Sequence, residues 1–191
     1  MIDTPRLILV TGVMAAGKST VAEHLARRFT RGVHLRGDVF RRMIVSGRVE
    51  MGPDPSPQAL AQLALRYRLA AAAADAYLAE GFSVVYQDVV IGRFLADVVA
   101  GLVHRPLHLV VLCPSVPAVM AREAGRAKRG YGSFPVEALD RVLRNETPRL
   151  GYWLDTSDLD VDQSVERIVD NLELAVVHIE TTANEPSGPS P

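Results

Sequence analysis

Cysteine is nearly missing from this chain: Cys113 stands alone among 191 residues. One thiol excludes a disulfide framework and any multi-cysteine metal cluster. Charge of one sign is lacking too, since 21 basic residues face 22 acidic ones for a formal net charge of −1. That balance argues against a protein coating nucleic acid through a basic surface, so no stable nucleic-acid complex is expected. No apolar run approaches the ~18 residues that span a membrane, and no membrane association is expected. The opening MIDTPRLILV is too short and too soon interrupted for a signal peptide, so the expected location is cytoplasmic. Lysine is the scarcest cation: Lys18 and Lys128 stand against 19 arginines. Gly17 precedes one and Ala127 the other, so the N-K-x-D guanine-recognition motif of signalling GTPases is excluded.

What is present is 48% hydrophobic and long enough for one domain with a proper core. Leu7 to Thr11 is an unbroken apolar run with β-branched ends, as expected of a strand buried on both faces. A glycine-bounded loop follows, then an amphipathic helix from Ser19 to Phe29. Further strands are expected at Val33 to Arg36, Ser83 to Tyr86, Leu107 to Leu112 and Tyr152 to Asp155. Helices are expected from Asp38 through Ile44, Pro57 to Glu80, Phe94 to Leu102, Val116 to Arg126, Val136 to Glu146 and Val161 to Val177. Residues 47 to 57 carry the glycines and prolines of a loop. Residues 1 to 179 read as a single domain, and 180 to 191 as a disordered tail. Strands alternating with helices predict an α/β fold, a parallel sheet covered on both faces. Ligands of such sheets bind at the carboxyl ends of the strands, just after residues 11, 36, 86 and 112.

Gly12-Val13-Met14-Ala15-Ala16-Gly17-Lys18-Ser19-Thr20 fits G-x-x-x-x-G-K-[ST], with a strand before it and a helix after it. The two glycines let the backbone curl until successive N–H groups of Met14, Ala15, Ala16, Gly17, Lys18, Ser19 and Thr20 can point at phosphate oxygens. The helix start adds its dipole. Lys18 is placed to reach the β- and γ-phosphates, and Ser19 to hold Mg²⁺. ATP with Mg²⁺ is therefore the expected cofactor, GTP being open. A ring-forming ATPase of the AAA type is set aside because a helical second domain has no room in this length.

Other candidates lie at the strand ends. Asp38 either caps its helix or takes the proton from a substrate hydroxyl as that oxygen attacks the γ-phosphate. Asp88 closes Val84-Val85-Tyr86-Gln87-Asp88, a Walker B pattern whose carboxylate would hold Mg²⁺ alongside Ser19. Arg122 and Arg126 lie one helical turn apart, ahead of Gly130-Tyr131-Gly132-Ser133. They form either a solvated basic face or an arginine-bearing lid, about residues 125–135, that closes over the nucleotide. Phe40, Arg41, Tyr67 and Arg93 are candidates to contact substrate, with core packing the alternative for the aromatic ones. His104 and His108 are separated by Pro106 and are not read as a metal pair.

The order phosphate loop, Gly37-Asp38-x-x-Arg41, an aspartate ending the third strand, Arg122-x-x-x-Arg126 before a lid, and Asp155-Thr156-Ser157 near the end resembles the P-loop small-molecule and nucleotide kinases. Leu35 to Arg41 is similar to the acceptor segment of adenylate kinases. The overall pattern is similar to chloramphenicol phosphotransferase-like kinases, over about residues 6 to 175. The resemblance implies a three-layer sandwich whose five-stranded parallel sheet runs 2-3-1-4-5, with a short lid. It implies Asp38 as general base, Arg122 on the base of the nucleotide, Arg126 on its phosphates, and Thr156, Ser157 and Asp158 bordering the base. Gln87 departs from the antibiotic kinases, which have two acidic residues there, and Val89 to Arg93 departs from the G-[FY]-P-R of adenylate kinases. The expected activity is ATP-dependent phosphorylation of a small-molecule hydroxyl, antibiotics included. Lys18, Arg126 and Mg²⁺ would stabilise the transferred phosphoryl. A nucleoside or nucleotide kinase and a non-enzymatic nucleotide-dependent binding module are the alternatives.

Overall fold

The computed structural model describes residues 2–125 and 135–178. Expectations for Arg126, Lys128, most of the lid and the 180–191 tail lie outside the described residues. Five parallel strands make one sheet in the order β2-β3-β1-β4-β5, as the resemblance implies. These are β1 (Leu7–Gly12), β2 (Gly32–Arg36), β3 (Ser83–Gln87), β4 (Leu107–Leu112) and β5 (Tyr152–Leu154). The helices are α1 (Lys18–Ala26), α2 (Asp38–Arg42), α3 (Pro57–Ala79), α4 (Phe94–Gly101), α5 (Val116–Ala124), α6 (Val136–Arg141) and α7 (Val161–Asp170). The three inner strands are buried along their whole length. That explains why β1 and β4 are mostly aliphatic, with no polar alternation: neither face of a doubly covered strand meets water. Each fully buried leucine or isoleucine there contributes roughly 1.5–3 kcal/mol by leaving water.

Register brings the functional ends together. Val10 lies opposite Gln87, Arg36 opposite Gln87, and Gly12 opposite Leu112. All five strands run parallel and therefore end on the same side of the sheet. Caps then aim the helices. Ser56 accepts the N–H of Ala59 at the start of α3, and Ser115 that of Ala118 at the start of α5. Asp160 and Gln163 form a reciprocal capping box on α7.

Some helices stop short of expectation, α1 at Ala26 rather than Phe29 and α2 at Arg42 rather than Ile44, and two finish in a different geometry. The 136–146 helix widens after Arg141 into a π turn, Val142–Glu146, and stops at extended Thr147, where Pro148 disfavours a helical neighbour. The last helix does not reach Val177. Asn171 breaks it by donating its side-chain amide to the Arg167 carbonyl. A 3₁₀ turn follows over Leu172–Ala175, and Val177 then donates to the Leu107 carbonyl at 2.9 Å.

His108, fully buried in β4, gives the fold a pH dependence. Arg6 Nη1 lies 3.1 Å from its Nε2 and the Leu7 carbonyl 3.3 Å from its Nδ1. A guanidinium only donates, so Nε2 accepts and Nδ1 carries the proton: the ring is neutral. Burial pushes its pKa below the ordinary 6.5, and burial does the same to His34. Below about pH 6.5 the unfolded chain takes up protons that the folded chain refuses. Stability is thus complete above that pH and declines beneath it, by up to ~1.4 kcal/mol per pH unit for each histidine. Melting followed from about pH 7.5 to about 5.5 is expected to show this fall, and His108→Gln to flatten it. An unchanged slope in that variant would contradict the assignment.

Candidate active site

The loop after β1 is built from residues in the left-handed region: Ala15 at φ 59° and Gly17 at φ 94°, with Gly12 at φ 143°. A side chain on Gly12 would also strike the Leu112 carbonyl of β4, so glycine is required there twice over. Ala16 N–H closes a turn on the Val13 carbonyl at 3.3 Å. Lys18 is buried, and its Nζ donates to the Val13 carbonyl at 2.7 Å, inside the curl of the loop. The N–H groups of Lys18, Ser19 and Thr20 lie in the first turn of α1, where helix N–H groups have no intrahelical partner. The Thr20 side chain itself is exposed.

Arg122, in the last turn of α5, joins this loop to the segment after β5. Its guanidinium donates to the Ala16 carbonyl (3.4 Å), to Thr156 Oγ1 (3.3 Å) and to the Thr156 carbonyl. The structure therefore unites Arg122, Thr156 and the phosphate loop. Ser157 is tied differently. Its Oγ accepts the Ser115 N–H at 2.8 Å, and its hydroxyl and backbone N–H both donate to Asp155, holding that carboxyl below the usual carboxylate range. Ser157 thus locks the turns after β4 and β5 together. Arg144 supports the same corner by donating to the carbonyls of Cys113 and Pro114.

Across the edge stands Asp38. It is the first residue of α2 rather than its cap: Gly37 occupies the cap position and no side chain caps the helix. The capping expectation is corrected because Gly37 is already helical in its backbone. The carboxylate instead faces Arg42 at 3.2 Å and Arg36 at 3.6 Å, and remains 40% exposed. Gly37 donates to the Gln87 carbonyl, and a side chain on Gly37 would collide with the Asp88 carboxylate. Only glycine lets Asp38 come this close to the end of β3.

The expected metal pair is not brought together. The side chain beside Ser19 is Gln87, with Oγ 3.4 Å from Oε1. Asp88, one residue on, turns the other way, because successive strand residues point to opposite faces. Its fully buried carboxylate accepts from Arg66 Nε (2.8 Å), Tyr86 Oη (3.3 Å) and the Val89 N–H (2.7 Å), and Arg66 Nη2 completes the ion pair. Among the described residues no group of three or more His, Cys, Asp or Glu could hold a metal. Ser19 and Gln87 still offer two neutral oxygens, which fits a Mg²⁺ that takes its charge from phosphates and keeps several waters.

Asp88 read as counter-ion to Arg66 has a measurable consequence. Removing one partner of a buried pair costs about 3–5 kcal/mol. D88N is expected to lose that much in denaturant unfolding, and the D88N/R66M double variant less than the sum of the singles. Retained stability with a raised Mg²⁺ requirement would instead make Asp88 a metal ligand.

The substrate candidates divide. Phe40 and Arg41 line a small cavity between α2 and α3. Tyr67 is buried, its hydroxyl donates to the Val89 carbonyl at 3.0 Å, and its ring packs against Phe94, so it braces the core. Burial pushes its phenol up to about 12. Arg93 is exposed, with its guanidinium over the Phe94 ring. Arg66 and Gln87 escaped the sequence reading. Strand alternation was the available signal for Gln87, whereas nothing in Leu65-Arg66-Tyr67-Arg68 separates Arg66 from its neighbours.

A family model described as an AAA domain matches residues 7–148. The described residues beyond it comprise β5, α7 and the 3₁₀ turn, so the helical second domain of ring-forming ATPases is not among them. No curated protein matches the sequence. Among solved structures, a sugar kinase from Janibacter sp. HTCC2649 superposes with a TM-score of 0.66 at 19% identity, covering 91% of this chain and 99% of that one. The tunicamycin resistance protein of Deinococcus radiodurans gives 0.63 at 19%, covering 92% and 99%. The APS kinase of Mycobacterium tuberculosis, in complex with AMPPNP and APS, gives 0.62 at 17%, covering 90% and 99%.

Proposed function

Because the chain belongs to the AAA-domain family and has the fold of the P-loop kinases, we propose that it is an ATP-dependent phosphotransferase acting on a hydroxyl of a small molecule. One observation carries the reading: the partly exposed carboxylate of Asp38 heads α2 beside the end of β3, whose Gln87 meets Ser19 of the phosphate loop. The acceptor enters between α2 and α3, where its oxygen faces the γ-phosphate. As the new P–O bond forms, Asp38 takes the hydroxyl proton and the bond from the γ-phosphorus to the β,γ-bridging oxygen breaks, leaving ADP. Lys18 and Arg126 hold the charge spread over the transferred group, and Arg122 with Thr156 borders the nucleotide. Mg²⁺, held by Ser19 with Gln87 beside it, would neutralise the phosphates when bound. Catalysis is then chiefly positioning and electrostatics.

The testing experiment is ADP release on addition of a panel of hydroxylated metabolites and antibiotics, with nucleosides and nucleoside monophosphates as the rival arm. Stimulation by the first group is expected. Strong stimulation confined to the second would make the protein a nucleoside or nucleotide kinase.

A further inference from the structure

We propose that Arg66 of α3 is a positioning residue for Asp38, acting through Asp88 and Gly37, an inference that rests on the phosphotransferase reading above. Asp38 opens a helix of five residues that has no side-chain cap. So short a helix is not held by its own hydrogen bonds. Its start is held by β3 instead. Gly37 donates its N–H to the Gln87 carbonyl at 3.0 Å, and its Cα lies so close to the Asp88 carboxylate that a side chain there would strike it. The same side chain would press on the Tyr86 ring. The surface that seats Gly37, and with it the first residue of α2, is therefore the buried carboxylate of Asp88.

That carboxylate has one orientation because Arg66 gives it one. The guanidinium engages both oxygens, Nε at Oδ2 and Nη2 at Oδ1, and a bidentate pair fixes the plane of its partner. The chain just behind is anchored as well. Thr11 Oγ1 donates to the Val90 carbonyl at 2.8 Å and accepts the Val90 N–H at 2.9 Å, and the Gly92 N–H donates to Thr147 Oγ1 at 2.7 Å. Among these ties Arg66 supplies the cation. Without it Asp88 would be an unpaired buried charge, which must turn toward water or take up a proton, and either change alters what Gly37 rests on. A buried ion pair adds little net stability over apolar residues of its size. What this one supplies is a fixed support.

Asp38 needs that support because its own contacts are weak. Oδ2 lies 3.2 Å from Arg42 and Oδ1 3.6 Å from Arg36, and both are surface pairs. Oδ1 is buried and makes no hydrogen bond among the described residues. It has the capacity to accept a proton but nothing of its own to aim it, so its place follows from the backbone at Gly37. Placement decides the rate, since a misplacement of about 1 Å can cost about 10²-fold. The two groups are also near enough to feel each other's charge. Burial draws the Arg66 pKa down, and the charge of Asp38 is among those that oppose the shift.

A double-mutant cycle on kcat between Arg66 and Asp38 tests this. R66M is paired with R66M/D88N, which keeps the shapes and buries no unpaired charge. In the parent background each is expected to lower kcat at least about thirtyfold, with nucleotide affinity within about twofold of the parent. R66K, which keeps the charge and loses the fork, is expected to recover only part of the loss. In the Asp38→Ala background the same changes are expected to cost less than about threefold, because the group they misplace is gone. Placement is also read without turnover, from the Asp38 carboxyl ¹³C resonance of aspartate-labelled protein, assigned by its loss in D38N. R66M/D88N is expected to move it and to leave the resonance of Asp160, in the α7 capping box, in place. Equal falls in both backgrounds, nucleotide affinity falling in step with kcat, or an unmoved Asp38 resonance would overturn the inference. A moved resonance in a parent that transfers no phosphoryl group would uphold the link and count against phosphotransfer, so the two failures are separable.

Discussion

Lys18→Ala is expected to abolish phosphoryl transfer, with kcat/KM falling by at least about 10³-fold. The ammonium lies within the loop that curls around the phosphates, where a buried positive charge acts at low dielectric and needs no reorganisation during reaction. Lys18→Arg is expected to fail nearly as badly. The planar guanidinium is bulkier than an ammonium, and the site is almost closed, with Lys18 only 7% exposed. The composition makes this test pointed. A chain with 19 arginines and two lysines keeps lysine at the position where a compact, flexible cation is needed. Steady-state kinetics on both variants, beside nucleotide binding by calorimetry, measures the effect. Parent-like turnover in Lys18→Arg would mean that charge alone suffices.

Asp38→Ala is expected to lose turnover by about 10²–10⁴-fold while nucleotide affinity stays within about twofold of the parent. The ion-pair partners of the carboxylate are Arg36 and Arg42, neither of which belongs to the phosphate loop. Both are surface pairs, so their loss should cost no more than about 1 kcal/mol of stability. A large loss of turnover with intact melting and nucleotide binding thus isolates the proton-accepting role. Equal activity in the variant would remove Asp38 from the mechanism.

The sheet was legible in the sequence because burial on both faces leaves a plain trace. Leu7–Gly12 and Leu107–Leu112 are aliphatic but for Thr11, Gly12 and His108, without the polar alternation of a half-exposed strand. The phosphate loop was legible because its glycines answer to backbone geometry that other residues rarely adopt. Long-range pairing was not legible. Asp88 fits a metal-ligand pattern by position, yet a one-residue offset at the end of β3 turns it toward α3 and presents Gln87 to Ser19. Arg66 lies 22 residues away from Asp88 in an Ala-rich helix, and only the packing of α3 on the sheet reveals the pair. The end of α7 was misread for a similar reason. Val176 and Val177 continue an apolar pattern, but they meet β4 as extended chain.

The central claim is that the γ-phosphate of ATP reaches a hydroxyl of a second molecule. It is tested most directly by ³¹P NMR of the parent protein with Mg·ATP and the acceptor that stimulates ADP release most. The account predicts a phosphomonoester resonance growing in step with ADP, and none with Asp38→Ala. ADP accompanied only by inorganic phosphate, or tight nucleotide binding with no turnover across the whole acceptor panel, would contradict it.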